Sequence, residues 1–459
     1  MGQAFLHGQG GNADAIKING TSKSFPCLGI DPIQKGDFVA EVEPKETIKS
    51  TSFAGYGAGY GIAGRKITFI DDHRFVVFFT SYDSNYQDFF QLYVGTEQDR
   101  NITFSDKYTS NSMPNASFSS MVLNSNQCVV HYYYYSSNRY SYFNLFSLPP
   151  EGSTTAPARL QSYSSAKSSS YVDKCAFIRL SDTQFVTHES TVSNSHFVCL
   201  YTVSNNKITL TDSITLTLSK HGKFVKTAFG CAVVDASGST LTYITIPITS
   251  GTLGSATTYT QTLPVSEVES ISLYELSGDK FLASIYYVSG YNSSGSPIRK
   301  YAHAMFTLSG SGVTISNVVT GLSTWISGSV VYKPNANQFM LLDYSQSKIT
   351  PLEYNESTGE VIFGESKNLF NVENVYPSTD RYTSSLSYWV CAPLPSCPSI
   401  WYGCGYIIVY YPSDSTSFYR PYHGLIPSTT AARKATSTDK YIGVATKNAS
   451  YLGICEAIG

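Results

Sequence analysis

One short phrase recurs about every fifty residues along this chain, and it restricts the fold to a modular architecture of short strands. An apolar strand enters a polar turn of Asp, Asn, Ser or Gly and passes straight into a second apolar strand. It reads Ile67-Thr68-Phe69-Ile70, Asp71-Asp72-His73-Arg74, Phe75-Val76-Val77-Phe78-Phe79. It returns as Met121-Val122-Leu123, Asn124-Ser125-Asn126-Gln127, Cys128-Val129-Val130, and as Phe177-Ile178-Arg179-Leu180, Ser181-Asp182-Thr183-Gln184, Phe185-Val186. Weaker or shifted copies follow at Val233-Val234 to Leu241, Leu273-Tyr274 to Phe281-Leu282, and Val330-Val331-Tyr332 to Phe339-Met340. The anchors at 75, 128, 185, 241, 281 and 339 are separated by 53, 57, 56, 40 and 58 residues.

A unit of about fifty residues, built from short strands with no helix between them, is the size of one four-stranded propeller blade. Six units are visible, and residues 377 to 422 have room for a seventh, with Tyr406-Ile407-Ile408-Val409-Tyr410-Tyr411 as its clearest strand. The expectation is an all-β chain forming a β-propeller of about seven blades. A chain of two or three β-sandwiches is the alternative, since it too spaces strands evenly. The expected division is residues 1–64 as an N-terminal attachment module with a Gly-rich linker, 65–425 as the propeller, and 426–459 as C-terminal strands returning to the N-terminal module. Two lone strands at the C-terminus, near Tyr441-Ile442-Gly443-Val444-Ala445 and Leu452 to Ile458, would leave unpaired edges. The N-terminal strand Phe38-Val39-Ala40-Glu41-Val42 is their economical partner, which makes Phe38, Val39, Val42, Val444 and Ile454 the candidate module residues.

Charged residues are 14% of the chain and the formal net charge is −2. Nucleic acid is not an expected partner, because neutralising phosphates takes clustered Lys and Arg, and the best basic cluster is Ala432-Arg433-Lys434. No apolar run spans a bilayer: the nearest, Tyr388 to Tyr411, is broken by Pro393, Pro395 and Pro398. The first residues lack the basic start and apolar core of a signal peptide, and Leu6 stands where myristoylation of Gly2 would need Ser or Thr. Synthesis in the cytoplasm without membrane association is the expectation. Nine cysteines form an odd set whose spacing matches no zinc module. Several sit in strand patterns, where a reduced thiol behaves as a small buried hydrophobe; a disulfide from Cys391 to Cys397 or Cys404 is the lesser option.

The chemical motifs are weak. Gly59, Gly61 and Gly64 match a dinucleotide fingerprint in spacing, but a strand follows at Lys66-Ile67 where that chemistry needs a helix N-terminus. Asp71 and Asp72 lie in a turn, and Glu267 and Glu269 lead into a strand; neither pair reads as the two carboxylates of a glycosidase. His131 and His188-Glu189 fall in strand patterns, and no pair of histidines has the spacing of a helical or hairpin metal site. No catalytic residue, cofactor or metal is therefore expected. What remains is an excess of tyrosine in and beside loops, where a flat face with a polar tip suits recognition. Tyr82, Tyr86, Tyr134, Tyr140, Tyr287 and Tyr291 are the candidate surface-recognition residues, set against a packing role for about half of such strand tyrosines.

The phrase Lys35-Gly36-Asp37-Phe38-Val39, the turns passing into Phe-Val, and the ending Ile442-Gly443-Val444-Ala445 with Gly453-Ile454-Cys455 resemble tail-fibre proteins of phages and prophages of Gram-positive bacteria. The resemblance covers nearly the whole chain in organisation, through short motifs, and departs from the family in the Tyr-rich loops and the degenerate fourth and seventh repeats. It implies a non-enzymatic virion component of tail or baseplate, present in several copies, with other virion proteins and a host-surface saccharide as partners. A purely structural decoration of the particle, or a glycan-cleaving propeller, are the other functions weighed.

Overall fold

The computed structural model describes the chain except for residues 1–21, 27–31, 43–49, 52–60, 83–87, 99–100, 111–117, 135–139, 165–171, 219, 323–325, 327–328, 344–347, 365, 369–381, 395–396, 412–415, 428–430, 436–440, 450–453 and 459. The described residues form antiparallel sheets and no helix. Seven sheets are blades of a propeller. The first holds Gly61–Phe69, Arg74–Tyr82, Asp88–Gln98 and the short pair Asn101–Phe104 and Tyr108–Ser110. The second holds Phe118–Asn124, Gln127–Tyr134, Tyr140–Ser147 and Ala158–Ser164; the third Val172–Arg179, Gln184–Thr191, His196–Ser204 and Lys207–Leu216. The fourth holds Lys223–Thr227, Gly230–Ser237, Thr240–Thr249 and Thr257–Thr262; the fifth Val268–Glu275, Lys280–Tyr291, Pro297–Ser309 and Gly312–Leu322. The sixth holds Ser329–Asn335, Gln338–Asp343, Lys348–Tyr354 and Val361–Phe363; the seventh Tyr382–Leu394, Cys397–Tyr411 and Thr416–Pro427.

The first strand of each blade is the innermost. Tyr382–Leu394 touches both Ser329–Asn335 and Gly61–Phe69, so the seventh blade meets the sixth on one side and the first on the other. The ring is latched by residues far upstream: Ser50–Thr51 pair with Thr416–Pro427 as the outer strand of the seventh blade. That pairing lay hidden in the stretch read as attachment module and linker. The eighth sheet has the order Ser22–Pro26, Ile454–Ile458, Tyr441–Ala445, Phe38–Val42, Ala431–Lys434. Both ends of the chain thus build one small module, and Ser22–Pro26 and Ala431–Lys434 are strands beyond those expected.

The recurring phrase is the hairpin between the first and second strands of a blade. Phe75, Cys128, Phe185, Phe281 and Phe339 each occupy the second position of the second strand, and each is at most 2% exposed. The fourth anchor was out of phase, since Leu241 belongs to the third strand of its blade. The equivalent residue is Cys231, fully buried, which replaces the intervals of 56 and 40 with 46 and 50. The copy is hard to see because Gly230-Cys231 stands where other blades have Arg, Gln or Lys before Phe or Cys. Gly230 has φ 143°, and a Cβ there would meet the Ile246 carbonyl oxygen at 2.5 Å, so no larger residue fits. In the first blade Gly95, across from Phe75, is equally constrained: a Cβ would lie 2.3 Å from the Phe75 ring.

In the blades whose burial is described, cover on both faces leaves the middle strands apolar without strict alternation. Phe75-Val76-Val77-Phe78 are all fully buried. The core is a succession of seams between neighbouring blades. Val76, Phe78, Phe90 and Leu92 pack against Val130 and Phe146 between the first and second blades. Phe143 and Leu145 meet Phe185, Cys199 and Tyr201 at the next seam, and Val186, Val198 and Leu200 meet Val233, Ile244 and Ile246 at the one after. Four of the nine cysteines, Cys128, Cys175, Cys199 and Cys231, are buried free thiols in these seams; burial raises Cys231 to about 12. The side chains of Cys391, Cys397 and Cys404 lie outside the described residues.

Candidate metal centre between the third and fourth blades

The second strand of the third blade carries its polar residues into the interior. Pleating sends Thr187 and Glu189 toward the second blade and His188 toward the fourth. On the second-blade side, Glu189 accepts hydrogen bonds from Thr187 Oγ1 at 2.7 Å and Tyr201 OH at 2.8 Å. Burial and then the Glu189 charge push the Tyr201 hydroxyl well above its ordinary pKa. On the inner strand of the first blade, the Lys66 ammonium donates to the Ser120 carbonyl. Burial lowers it to about 8, against the opposing pull of Cys175.

On the fourth-blade side three histidines converge. His188 sits opposite Val198, and His196 opposite Ser190, in the same antiparallel pair, so the two imidazoles share a face two residues apart in register. His221 comes from the connection that leads into Lys223–Thr227 of the fourth blade. One ligand atom from each of the three lies within 4.8 Å of the others. The His188 and His221 rings stack at 4.3 Å between centroids and 5° between planes; His188 and His196 are at 5.6 Å, and Phe224 packs on His188 at 5.8 Å.

His188 and His196 are buried and His221 is half-buried. Neither ring nitrogen of His188 has a hydrogen-bond partner. Burial first, and then His221 and His196, hold His188 well below its ordinary pKa, against an opposing pull toward the charged form from the Gly222 backbone. His221 is lowered to about 4, chiefly by burial and then by His196, Lys174 and Lys223. His188 and His221 are therefore neutral imidazoles at physiological pH, the form that binds metal ions.

The local sequence explains why His196 is held. Thr191 N donates to the Ser195 carbonyl at 2.9 Å, Asn194 N to the Thr191 carbonyl at 2.8 Å, and Ser195 N to Thr191 Oγ1 at 3.0 Å, making a tight hairpin turn. Asn194 adopts φ 59°, which Asn tolerates better than most residues, and its Oδ1 lies 3.2 Å from His196 Nε2. This fixes one nitrogen of the ring, the arrangement by which an outer partner orients a metal-binding histidine.

Spacing alone points to no pair of histidines as a metal site, and the structure brings three of them together without any such spacing. Positions 188, 196 and 221 come together through a strand hairpin and an interblade seam, neither of which a short-range spacing rule reports. His131 and His303 are buried elsewhere and lowered by burial to about 3 and about 4.

The candidate recognition tyrosines distribute differently. Tyr291 is 59% exposed and donates to Glu267 Oε2 at 2.8 Å. Tyr287 is not on the surface: it is buried in the seam between the fourth and fifth blades, and its hydroxyl accepts from Gly321 N at 3.1 Å. Tyr82, Tyr134 and Tyr140 lie at strand ends, with side chains outside the described residues, as is the whole of Tyr86. Of the module residues, Val39 is buried and Phe38 38% exposed; Phe38 pairs with Val444, and Val42 and Ile454 lie in the same sheet. Asp71 caps its own turn through His73 N, Arg74 N and Arg74 Nε, and Glu269 is held bidentate by Arg299. Gly61 and Gly64 lie inside a strand, with no helix for a pyrophosphate.

No family model matches the chain, and no curated protein matches it. Solved structures similar to it include a protein from Lactobacillus plantarum at 10% identity and TM-score 0.43, over 72% of this chain and 96% of that one. A periplasmic gluconolactonase of Pseudomonas aeruginosa matches at 10% identity and TM-score 0.43, over 66% of this chain and 85% of that one. Sqt1 of Chaetomium thermophilum matches at 11% identity and TM-score 0.45, over 92% of this chain and 100% of that one. These findings correct the expectation of a non-catalytic phage tail or baseplate protein. The likenesses are to propellers described without any phage role, one of them an enzyme, so neither a virion role nor the lack of catalysis follows from the architecture. At such identities the likeness concerns the fold, and the lactonase activity is a property of that neighbour.

Proposed function

We propose that this protein is a metal-binding β-propeller that holds a divalent late first-row transition ion, zinc foremost, at His188, His196 and His221. The observation that carries the reading is the convergence of three imidazoles around His188, which is fully buried with neither ring nitrogen hydrogen-bonded. An unsatisfied buried polar group costs about 1–3 kcal/mol, and a bound cation would offset that cost. Imidazole nitrogens suit zinc, copper and nickel better than calcium or magnesium, which take oxygen ligands. Three nitrogen ligands around zinc leave the fourth tetrahedral position to solvent or another ligand.

Coordination requires a rearrangement of the stacked rings. A zinc–nitrogen distance of about 2.0–2.1 Å places the ligand atoms about 3.3 Å apart, and parallel stacked rings cannot both point their lone pairs at one ion. His221, half-buried and on a connection between blades, is the ring that turns; His188 and His196 are fixed by their strands and by the Thr191–Ser195 turn.

The test is elemental analysis of protein purified without chelator, with melting measured in zinc and in chelator. About one equivalent of a transition metal per chain, and a melting point raised by zinc in the wild type but not in His188→Ala or His196→Ala, is the expected result. A protein that neither retains nor takes up zinc, cobalt, nickel or copper at micromolar concentrations overturns the reading.

A further inference from the structure

We infer that the remaining coordination position of this centre receives an oxyanion, a carboxylate or phosphate carried by a small molecule; the inference rests on the metal-binding reading above. Two observations apart from the histidines support it. Lys174 lies directly across from Ser190, and Ser190 directly across from His196, so Lys174, Ser190 and His196 form one cross-strand row from the innermost strand outward. Lys223 opens the innermost strand of the fourth blade, two residues after His221. Both lysines are exposed, on adjacent inner strands that touch each other, and neither has an ion-pair partner among the described residues.

The charge pattern is consistent with one ligand class. Lys174 and Lys223 both act on His221 as positive charges. Glu189, the nearest buried carboxylate in sequence, is on the opposite face of the strand and already engaged by Thr187 and Tyr201. Three neutral imidazoles leave a bound dication uncompensated, and two flanking ammonium groups add to its field. Such a site favours an anion in the open position and disfavours a cation or an amine. Neutral polar molecules gain little there.

Cobalt(II) serves as a spectroscopic probe, because its visible bands report coordination. The cobalt-loaded full-length chain is titrated with inorganic phosphate and, separately, with acetate, and the bands are followed. Saturable spectral change with either anion is expected, with affinity weakened about three- to tenfold by Lys174→Ala and by Lys223→Ala and more by the double variant. Phosphate and acetate arms separate the two sources of oxyanion. Both lysines are exposed, so the variants should fold, and cobalt uptake itself checks that the centre is intact. If cobalt binds but neither anion alters its bands, or if both lysine variants bind anions as wild type does, the inference is overturned while the metal centre stands. If cobalt does not bind, the centre itself fails and the inference with it.

Discussion

On one face of the ring the short turns are tied to their neighbours by hydrogen bonds. Arg74, 7% exposed, reaches the Pro149 and Ser125 carbonyls of the second blade at 3.4 Å. Asn124 Nδ2 donates to the Asp182 carbonyl at 2.9 Å, Gln127 Nε2 to Asn206 Oδ1 at 2.9 Å, and Ala228 N to Asp279 Oδ1 at 2.9 Å. Lys280 pairs with Glu356 at 2.7 Å. The opposite face carries the hairpins between second and third strands and the connections from blade to blade. Where the third and fourth blades meet there, the contacts are imidazoles stacked on one another, and Tyr291 stands exposed in the fifth blade. One strand, Gln184–Thr191, runs from Phe185 beside the stitched turns to Thr191 at the other face, with His188 between. The same backbone unit thus spends one end on cohesion and carries the histidine cluster toward the other, and scaffolds generally keep their functional loops apart from the elements that hold them together.

Substitutions along that strand test the contrast. Phe185→Ala should lose about 3–5 kcal/mol in a urea titration, the cost of emptying a large buried site among Phe143, Phe177 and Tyr201; a loss below about 1 kcal/mol would mean that the anchor does not hold the blade. Next comes Arg74→Met, which removes the interblade bonds and the pairing with Asp71. It should cost about 2–3 kcal/mol without affecting metal content, since hydrogen bonds from a charged group are the strong ones.

A third measurement concerns the neutral interior. His131 and His303, held by burial at about 3 and about 4, bind fewer protons in the folded chain than in the unfolded one, where an imidazole titrates near 6.5. Stability should therefore be full above about pH 6.5 and fall as the pH drops toward 4. His303→Leu should flatten that decline, and an unchanged slope would show that His303 is protonated in the folded state. His188→Leu should be nearly neutral in stability, within about 1 kcal/mol, because it removes unsatisfied nitrogens while it abolishes zinc uptake; a severe loss of stability would place His188 among the cohesive residues. The smallest effect is expected at Arg299→Ala. Its bond to Glu269 is on the surface, so the change should fall within experimental error in melting and vanish into salt screening.

The blade count and the terminal module were legible because each depends on a local pattern. Phe75, Cys128 and Phe185 repeat the same burial at the same place in a hairpin, and Val39 and Val444 stood in strands that needed partners. The fourth blade was read out of phase because Gly230 and Cys231 replace the residues that mark the turn elsewhere. Ser50–Thr51 was illegible in principle: two residues carry no periodicity, and their strand exists only because Thr416–Pro427 offers an edge. The histidine cluster was missed for a related reason. His196 follows His188 by eight residues and His221 follows by twenty-five more, and what unites them is antiparallel register plus the angle between two blades. Tyr287 and Tyr291 show the same limit: four residues apart, one is buried and the other exposed.

The outer strand of the seventh blade also sets a clock on synthesis. Thr51 leaves the ribosome 372 residues before its partner His423. At about 5–20 residues per second, that interval is roughly 20–75 s. Through this time the early blades can form while the ring stays open at the first blade, with Gly61–Phe69 lacking its neighbour and the nascent edge available to other chains. Completion comes as a single late event, when the last strands emerge, and truncation anywhere before Thr416 should leave Ser50–Thr51 without a partner and the seventh blade unfinished, however well the first six blades are made.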